Sequence, residues 1–214
     1  MIGFLGGTGP EGMGLALRFA LAGEDIIIGS REVGKAGNVA RRITEQAPGS
    51  MVVGGLNNQV ADQADIVFVT LPYLAQKPIL QCLPSQLDDK IVVDVVAPLK
   101  FSKDGVSALS VSEGSAALQA QEILVKSRVV AAFQTISAHD LLDYNQRVES
   151  DVIVCGDHEK DKLRVIKLSE KINGIRGIDG GGLANSGYVE NITALLLNIN
   201  RKYKARTAIR IVGI

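Results

Sequence analysis

The stretch Ile2-Gly3-Phe4-Leu5-Gly6-Gly7-Thr8-Gly9-Pro10-Glu11-Gly12 decides how this chain is read. Ile2–Leu5 is a short apolar run of the kind that forms a buried strand, and Met13–Ala22 suits a helix that Gly23 stops. Between them, Gly7-Thr8-Gly9-Pro10-Glu11-Gly12 has GxGxxG spacing. Alone that pattern is weak; between a strand and a helix it has the context it requires. Gly7 permits the tight turn, Gly9 lets the backbone approach a pyrophosphate, and Gly12 lets the helix lie close to the sheet. Pro10 is tolerated at a first helical position, where an N–H would have no partner. The helix start then turns free N–H groups and a partial positive charge toward an anion. Gly7, Thr8, Gly9, Pro10, Glu11 and Gly12 are therefore candidate cofactor-binding residues.

Outward from this loop the same alternation repeats. Ile26–Ile28, Met51–Val53, Ile66–Leu71, Ile91–Val96, Val129–Phe133 and Val152–Val154 are short and rich in Val and Ile, as parallel strands buried on both faces are. Gly34–Ala47, Leu74–Leu83 and Glu113–Val125 suit the helices between them. The order predicts an α/β fold, a doubly wound parallel Rossmann sheet with helices on both faces. After Cys155 the pattern changes. His158–Ile172 reads as a helix, and Asn185 or Ser186 caps a long one running to about Lys204. The tail Ala208–Ile214 reads as extended. The expected division is a Rossmann domain over 1–156 and a small, mainly helical domain over 157–214.

The turn after the second strand selects the dinucleotide. A reader of NAD carries Asp or Glu there for the ribose 2′-hydroxyl. This chain has Gly29-Ser30-Arg31, with Lys35 four residues on. A guanidinium and an ammonium attract a 2′-phosphate, and Ser30 can donate to it. Glu32 is expected to turn away into the next helix. The loop therefore predicts NADP rather than NAD.

Composition excludes several classes. The 214 residues are 46% hydrophobic and 21% charged, which is a globular composition. Formal net charge is zero, which argues against a general nucleic-acid binder. No apolar run reaches the roughly 18 residues of a membrane span, and no secretory signal is expected. Cys82 and Cys155 are far apart and form no CxxC, so free thiols in a reducing cytoplasm are expected. With only His139 and His158 beside them, no metal site is expected. The zero net charge hides a split: 12 basic and 18 acidic residues precede His158, whereas 11 basic and 5 acidic follow from it. Arg201, Lys202, Lys204, Arg206 and Arg210 form a candidate landing surface for an anionic partner. The apolar stripe Val189, Ile192, Leu195, Leu196 and Ile199 predicts a homodimer with the last helix at its interface.

Taken together, Gly6-Gly7-Thr8-Gly9, Gly29-Ser30-Arg31 with Lys35, Leu71-Pro72, Ala132-Phe133-Gln134-Thr135-Ile136, Val154-Cys155-Gly156-Asp157 and Leu183-Ala184-Asn185-Ser186 resemble the reductases that exchange hydride between coenzyme F420 and NADP. The resemblance covers essentially the whole chain. It implies that Thr8, Ser30, Arg31 and Lys35 bind the 2′-phosphoadenosine end. It implies that Leu71, Pro72, Ala97, Pro98 and Ala138 line the nicotinamide, and that coenzyme F420, a deazaflavin, lies near Gln134, Ile136 and Thr193. Gln134, Tyr73, Ser137 and Gly187 stand where that family commonly carries His, Trp, Pro and Arg. Hydride transfer between two cofactors needs little acid–base help, so no catalytic side chain is assigned. Gln134 is a candidate donor to a deazaflavin carbonyl.

Rival oxidoreductases fit less well. Tyr73 and Lys77 have the Tyr-xxx-Lys spacing of short-chain dehydrogenases, but after the fourth strand rather than the fifth. The Gly181-Gly182 turn leads to Asn185 and Asn191 with no Lys between, unlike the β-hydroxyacid dehydrogenases. The alternatives are an NADPH-dependent ferric or flavin reductase and a non-catalytic NADP-sensing protein.

Overall fold

The computed structural model describes residues 1–214. Its strands are β1 (Ile2–Leu5), β2 (Ile26–Ser30), β3 (Val52–Leu56), β4 (Ile66–Val69), β5 (Ile91–Asp94), β6 (Leu99–Phe101), β7 (Val106–Ala108), β8 (Arg128–Ala131), β9 (Ser150–Gly156) and β10 (Ile175–Asp179). Its helices are α1 (Pro10–Leu21), α2 (Val33–Gln46), α3 (Asn57–Gln63), α4 (Tyr73–Leu80), α5 (Pro84–Leu87), α6 (Ala116–Ile123), α7 (Ala138–Leu142), α8 (Glu159–Ser169) and α9 (Ser186–Tyr203). Eight strands form one sheet in the order β10-β9-β8-β5-β4-β1-β2-β3. Every pairing in it is parallel except β8 with β9.

Alternate residues of each central strand feed two cores. Ile2, Phe4, Ile28, Phe68, Val93 and Val130 face one side, and Leu5, Ile27, Val67, Val69, Val92 and Val129 face the other. That two-sided burial is why these runs carry no polar alternation. The first core holds an aromatic knot in which Phe4 stacks on Phe68 at 5.0 Å and Phe133 meets Phe19 edge-on at 6.1 Å.

The expected strands are present; Ile2–Leu5 is as read, and the others have boundaries moved by a few residues. Three others are additions to the reading. β6 and β7 form a separate three-residue hairpin, which Asn198 of α9 fastens by accepting from Val106 N at 2.9 Å and donating to Val106 O at 2.7 Å. β10 pairs with β9, so the chain from Glu159 to Asp179 adds a helix and a strand to the main sheet. The charge change at residue 157 falls at the turn between β9 and α8. The cap of α9 also differs from expectation. Asn185 makes no side-chain cap bond, and Ser186 Oγ instead lies 2.7 Å from Ser115 Oγ.

The tail after α9 lies against the start of β9, where Asp151 N donates to Ile209 O at 2.8 Å. Arg176 holds the fully buried Asp151 carboxylate by two bonds of 2.8 and 2.7 Å, and Arg210 adds one of 3.0 Å. These cations hold that carboxyl well below the usual carboxylate range.

Candidate dinucleotide and hydride-transfer site

The glycine loop sits at the carboxyl edge of β1, where open α/β sheets bind their ligands. Gly6, not Gly7, takes the left-handed turn, with φ +69°. Gly7 is required by crowding, because a Cβ there would lie 2.7 Å from Phe4 Cβ. Gly12 packs against the loop itself; its Cβ would meet Thr70 Oγ1 at 2.6 Å and Gly7 Cα at 2.7 Å. Gly9 is different, since a Cβ there would meet nothing within 4 Å. Packing within the protein does not explain that glycine; a close approach by a ligand does. Pro10 opens α1 as expected, and Met13 N–H closes the first turn on Gly9 O at 2.9 Å.

A cavity of about 440 Å³ joins this loop to the next one. Thr8, Gly9, Pro10 and Glu11 line one wall, Ser30, Arg31 and Lys35 a second, and Leu71 with Pro72 a third. Ser30 Oγ accepts Glu32 N–H at 3.2 Å, which leaves its own hydrogen free to donate. Glu32 does not turn away. It lines the cavity and accepts from Lys35 Nζ at 2.7 Å, an i,i+3 pair at the start of α2. Both side chains are more than 60% exposed, so the pair opens at little cost when an anion competes for Lys35. Glu11 is less comfortable. Its Oε1 is sealed from solvent without a partner, and burial pushes the carboxyl up to about 8.

Asn57 belongs to the same cavity and escaped the sequence reading. It follows β3, and its Oδ1 accepts Gly6 N–H at 3.1 Å, holding the glycine turn from the side. A polar residue immediately after a strand at the carboxyl edge was the available signal.

The remaining candidates lie beyond this cavity, after β5 and β8. Ala97 and Pro98 follow β5, and Ala138 opens α7. Gln134 follows Phe133, a residue held at φ +73°, a strained conformation for a bulky side chain. Gln134 Nε2 already donates to Asp94 O at 3.0 Å, and its Oε1 is buried without a partner. What this side chain offers a ligand through its oxygen is an acceptor, the opposite of the donor expected. Thr193 joins it, donating from Oγ1 to Gln134 O at 2.9 Å. Ile136 is 6% exposed and packs in the first core.

The cationic cluster of the last helix disperses. Arg201 donates to Lys103 O at 2.6 Å, Arg206 pairs with Asp140 at 3.1 Å, and Arg210 pairs with Asp151. Arg201 keeps its charge because its partner is a backbone oxygen, so of the five only Arg206 and Arg210 are paired with carboxylates, and the expected patch narrows to Arg201, Lys202 and Lys204. A wider hollow of about 630 Å³ lies beside Arg201 and Lys202, between the β6–β7 hairpin and α9, and contains none of the glycine loop.

Comparison with known proteins agrees with this geometry. The sequence model of the family described as NADP oxidoreductase, coenzyme F420-dependent, matches residues 1–98. The F420-dependent NADP reductase of Methanothermobacter thermautotrophicus is 42% identical, covering 97% of this chain and 92% of that protein. That of Methanocaldococcus jannaschii is 38% identical, covering 100% of this chain and 98% of the relative. A crystal structure from Arthrobacter sp. FB24 shares the fold, with a TM-score of 0.84 over 99% of both chains at 23% identity. No helix of the chain is long and apolar enough to cross a membrane. The chain belongs to the F420-dependent NADP reductase family.

Proposed function

We propose that this protein transfers a hydride directly between NADP(H) and coenzyme F420. One observation carries the NADP half: the glycine loop, Ser30, Arg31 and Lys35 line a single cavity. The loop and the start of α1 hold the pyrophosphate, while Ser30, Arg31 and Lys35 take the 2′-phosphate. Leu71 and Pro72 lead the dinucleotide toward Ala97, Pro98 and Ala138, which line the nicotinamide. The deazaflavin binds beside Gln134 and Thr193, and the buried Gln134 Oε1, which lacks a donor, suits a ring bearing N–H groups. Bound together, the two coenzymes supply the hydride exchange themselves. The chain's part is to fix their separation and exclude water.

Replacing Arg31 with Ala is expected to weaken NADP binding by about 1.5–3 kcal/mol, the worth of a charged hydrogen bond, and to leave NAD binding unchanged. Calorimetry with both dinucleotides tests the site. Following F420 reduction by NADPH, against flavin plus iron as acceptor, tests the reaction. Equal affinity of the parent protein for NAD and NADP overturns the first part, and NADPH oxidation only with flavin and iron overturns the second.

The same reading includes a homodimer built on α9. Val189 and Ala194 are buried against the chain, but Tyr188, Leu195 and Tyr203 remain exposed along the helix. Sedimentation equilibrium at micromolar concentration is expected to give twice the 22.7 kDa chain mass, and Leu195→Glu the single mass. A monomeric parent removes this part of the proposal.

A further inference from the structure

Behind Gln134 lies a polar cluster that neither the glycine loop nor the phosphate site uses. Asp94 ends β5 and is fully buried. Its Oδ1 accepts Val96 N–H at 2.9 Å, and its backbone oxygen accepts both Ala132 N at 3.1 Å and Gln134 Nε2 at 3.0 Å. One residue thus sets the start of the Val96-Ala97-Pro98 turn and the position of the Gln134 amide. These are the walls assigned above to the nicotinamide and the deazaflavin, so the inference rests on that reading.

The cluster has too many acceptors. Asp94 Oδ2, Gln76 Oε1 and Gln134 Oε1 are all buried and all lack a donor. Gln76, fully buried on α4, already donates from Nε2 to Ala116 O at 2.8 Å. Glu190 of α9, 2% exposed, brings a second carboxyl. Its two oxygens accept Ala116 N–H at 2.8 Å and Ala117 N–H at 3.2 Å, which caps the start of α6. Burial pushes the Glu190 carboxyl up to about 7, against the two backbone donors at the helix N-terminus, so it carries charge on the alkaline side of neutrality. Asp94 accepts Val96 N–H, lies within reach of the Gln76 amide, has no cation beside it, and feels a like charge from Glu190. Placing a proton on Asp94 Oδ2 turns one orphan acceptor into a donor for the neighbouring Gln76 Oε1, a second orphan.

We propose that Asp94 is a positioning residue that works as a neutral carboxylic acid, its Oδ2 proton shared with the Gln76 amide so that Oδ1 stays on the Val96–Pro98 turn and the backbone oxygen on Gln134, in the arrangement that hydride transfer requires. Burial and the Glu190 charge both raise its pKa well above the ordinary carboxylate range. Ionisation at alkaline pH would add an unpaired charge beside Glu190 and loosen both walls. Asp94 lies outside the phosphate cavity, so kcat rather than the KM for NADP should respond.

Asp94→Asn keeps the Val96 acceptor and replaces the O–H by an amide donor. The parent kcat is expected to fall about tenfold per pH unit on its alkaline limb, whereas D94N should stay within about twofold across that range. Glu190→Gln removes the like charge and should move the parent limb to lower pH, a shift that a merely structural role does not produce. The infrared difference between parent and D94N at pH 7 should contain a carboxylic-acid C=O band that shifts in D2O. That readout does not depend on activity. Its absence overturns the proposal whatever the enzyme does, and so does a D94N alkaline limb matching the parent's. A parent that shows the band but transfers no hydride to F420 instead removes the functional reading.

Discussion

Replacing Arg18 with Met should cost this protein about 3–4 kcal/mol of stability. Arg18 lies on α1 and is 6% exposed, yet it serves a segment more than 120 residues away. Its Nε donates to Leu141 O at 2.8 Å, and its Nη2 reaches Asp140 O at 2.7 Å, Asp143 O at 2.8 Å and Gln146 O at 2.9 Å. One guanidinium thereby satisfies four backbone carbonyls of α7 and the turn after it. Methionine keeps the apolar stem but removes every donor. A buried acceptor left without a partner costs about 1–3 kcal/mol, and those of the four that reach water cost less. For a chain of this length, each kcal/mol moves Tm by roughly 2–4 °C, so a drop near 10 °C is expected. Faster proteolysis within residues 137–146 should accompany it. Lysine should recover part of the loss, because an ammonium cannot span the same four oxygens. A methionine variant within 1 kcal/mol of the parent in urea would show that the loop is held by other contacts, such as the close approach of Gly14 to Leu141. Because Ala138 opens α7, loosening this segment should also impair the nicotinamide side of the site.

Arg18 also marks where reading the sequence stops. The glycine loop was legible because its logic is local: strand, turn and helix start follow one another, and Gly7 and Gly12 answer steric demands within reach. The turn after β2, which brings Ser30, Arg31 and Lys35 to the same cavity, was legible for the same reason. Arg18 looks like one of many arginines on an amphipathic helix, and only the path of residues 140–146 gives it a role. β10 was missed because Ile175-Arg176-Gly177-Ile178-Asp179 lies at a sheet edge with two apolar residues, unlike the buried runs of the centre. The cationic tail looked like a surface because its partners, Asp140 and Asp151, are distant in sequence. Asp94 could have been noticed. A carboxylate inside the apolar run Ile91–Val96 is costly unless something compensates it, and that cost is itself a sign of function.

Glu11→Gln should stabilise the protein, and the gain should depend on pH. The Glu11 side chain sits in the first turn of α1 with Oε1 sealed from solvent and unpartnered. Burial raises its pKa from 4.5 to about 8. Arg31 and Lys35 line the same cavity, but Lys35 is engaged by Glu32. A pKa raised in the folded state means the folded protein holds its proton while the unfolded chain releases it. Stability is therefore intact below about pH 4.5, falls as pH rises toward 8, and then levels off. At pH 7 the interval is 2.5 pH units, or roughly 3.4 kcal/mol at 1.36 kcal/mol per unit. Because the residue as a whole is only partly buried, solvent screening reduces this to about 2–3 kcal/mol. Glutamine has the same shape and no proton to lose. The variant should match the parent near pH 4, exceed it by about 2–3 kcal/mol at pH 7, and by somewhat more at pH 9. Urea unfolding of both proteins at the three pH values reads the difference directly. A constant offset would mean that the amide gains new contacts and that Glu11 is ordinarily ionised. NADP supplies a second check. A pyrophosphate over this helix start opposes ionisation of Glu11, so parent affinity should weaken above pH 8 while the variant's holds. If the two affinity profiles run parallel, the carboxyl lies too far from the phosphates to sense them.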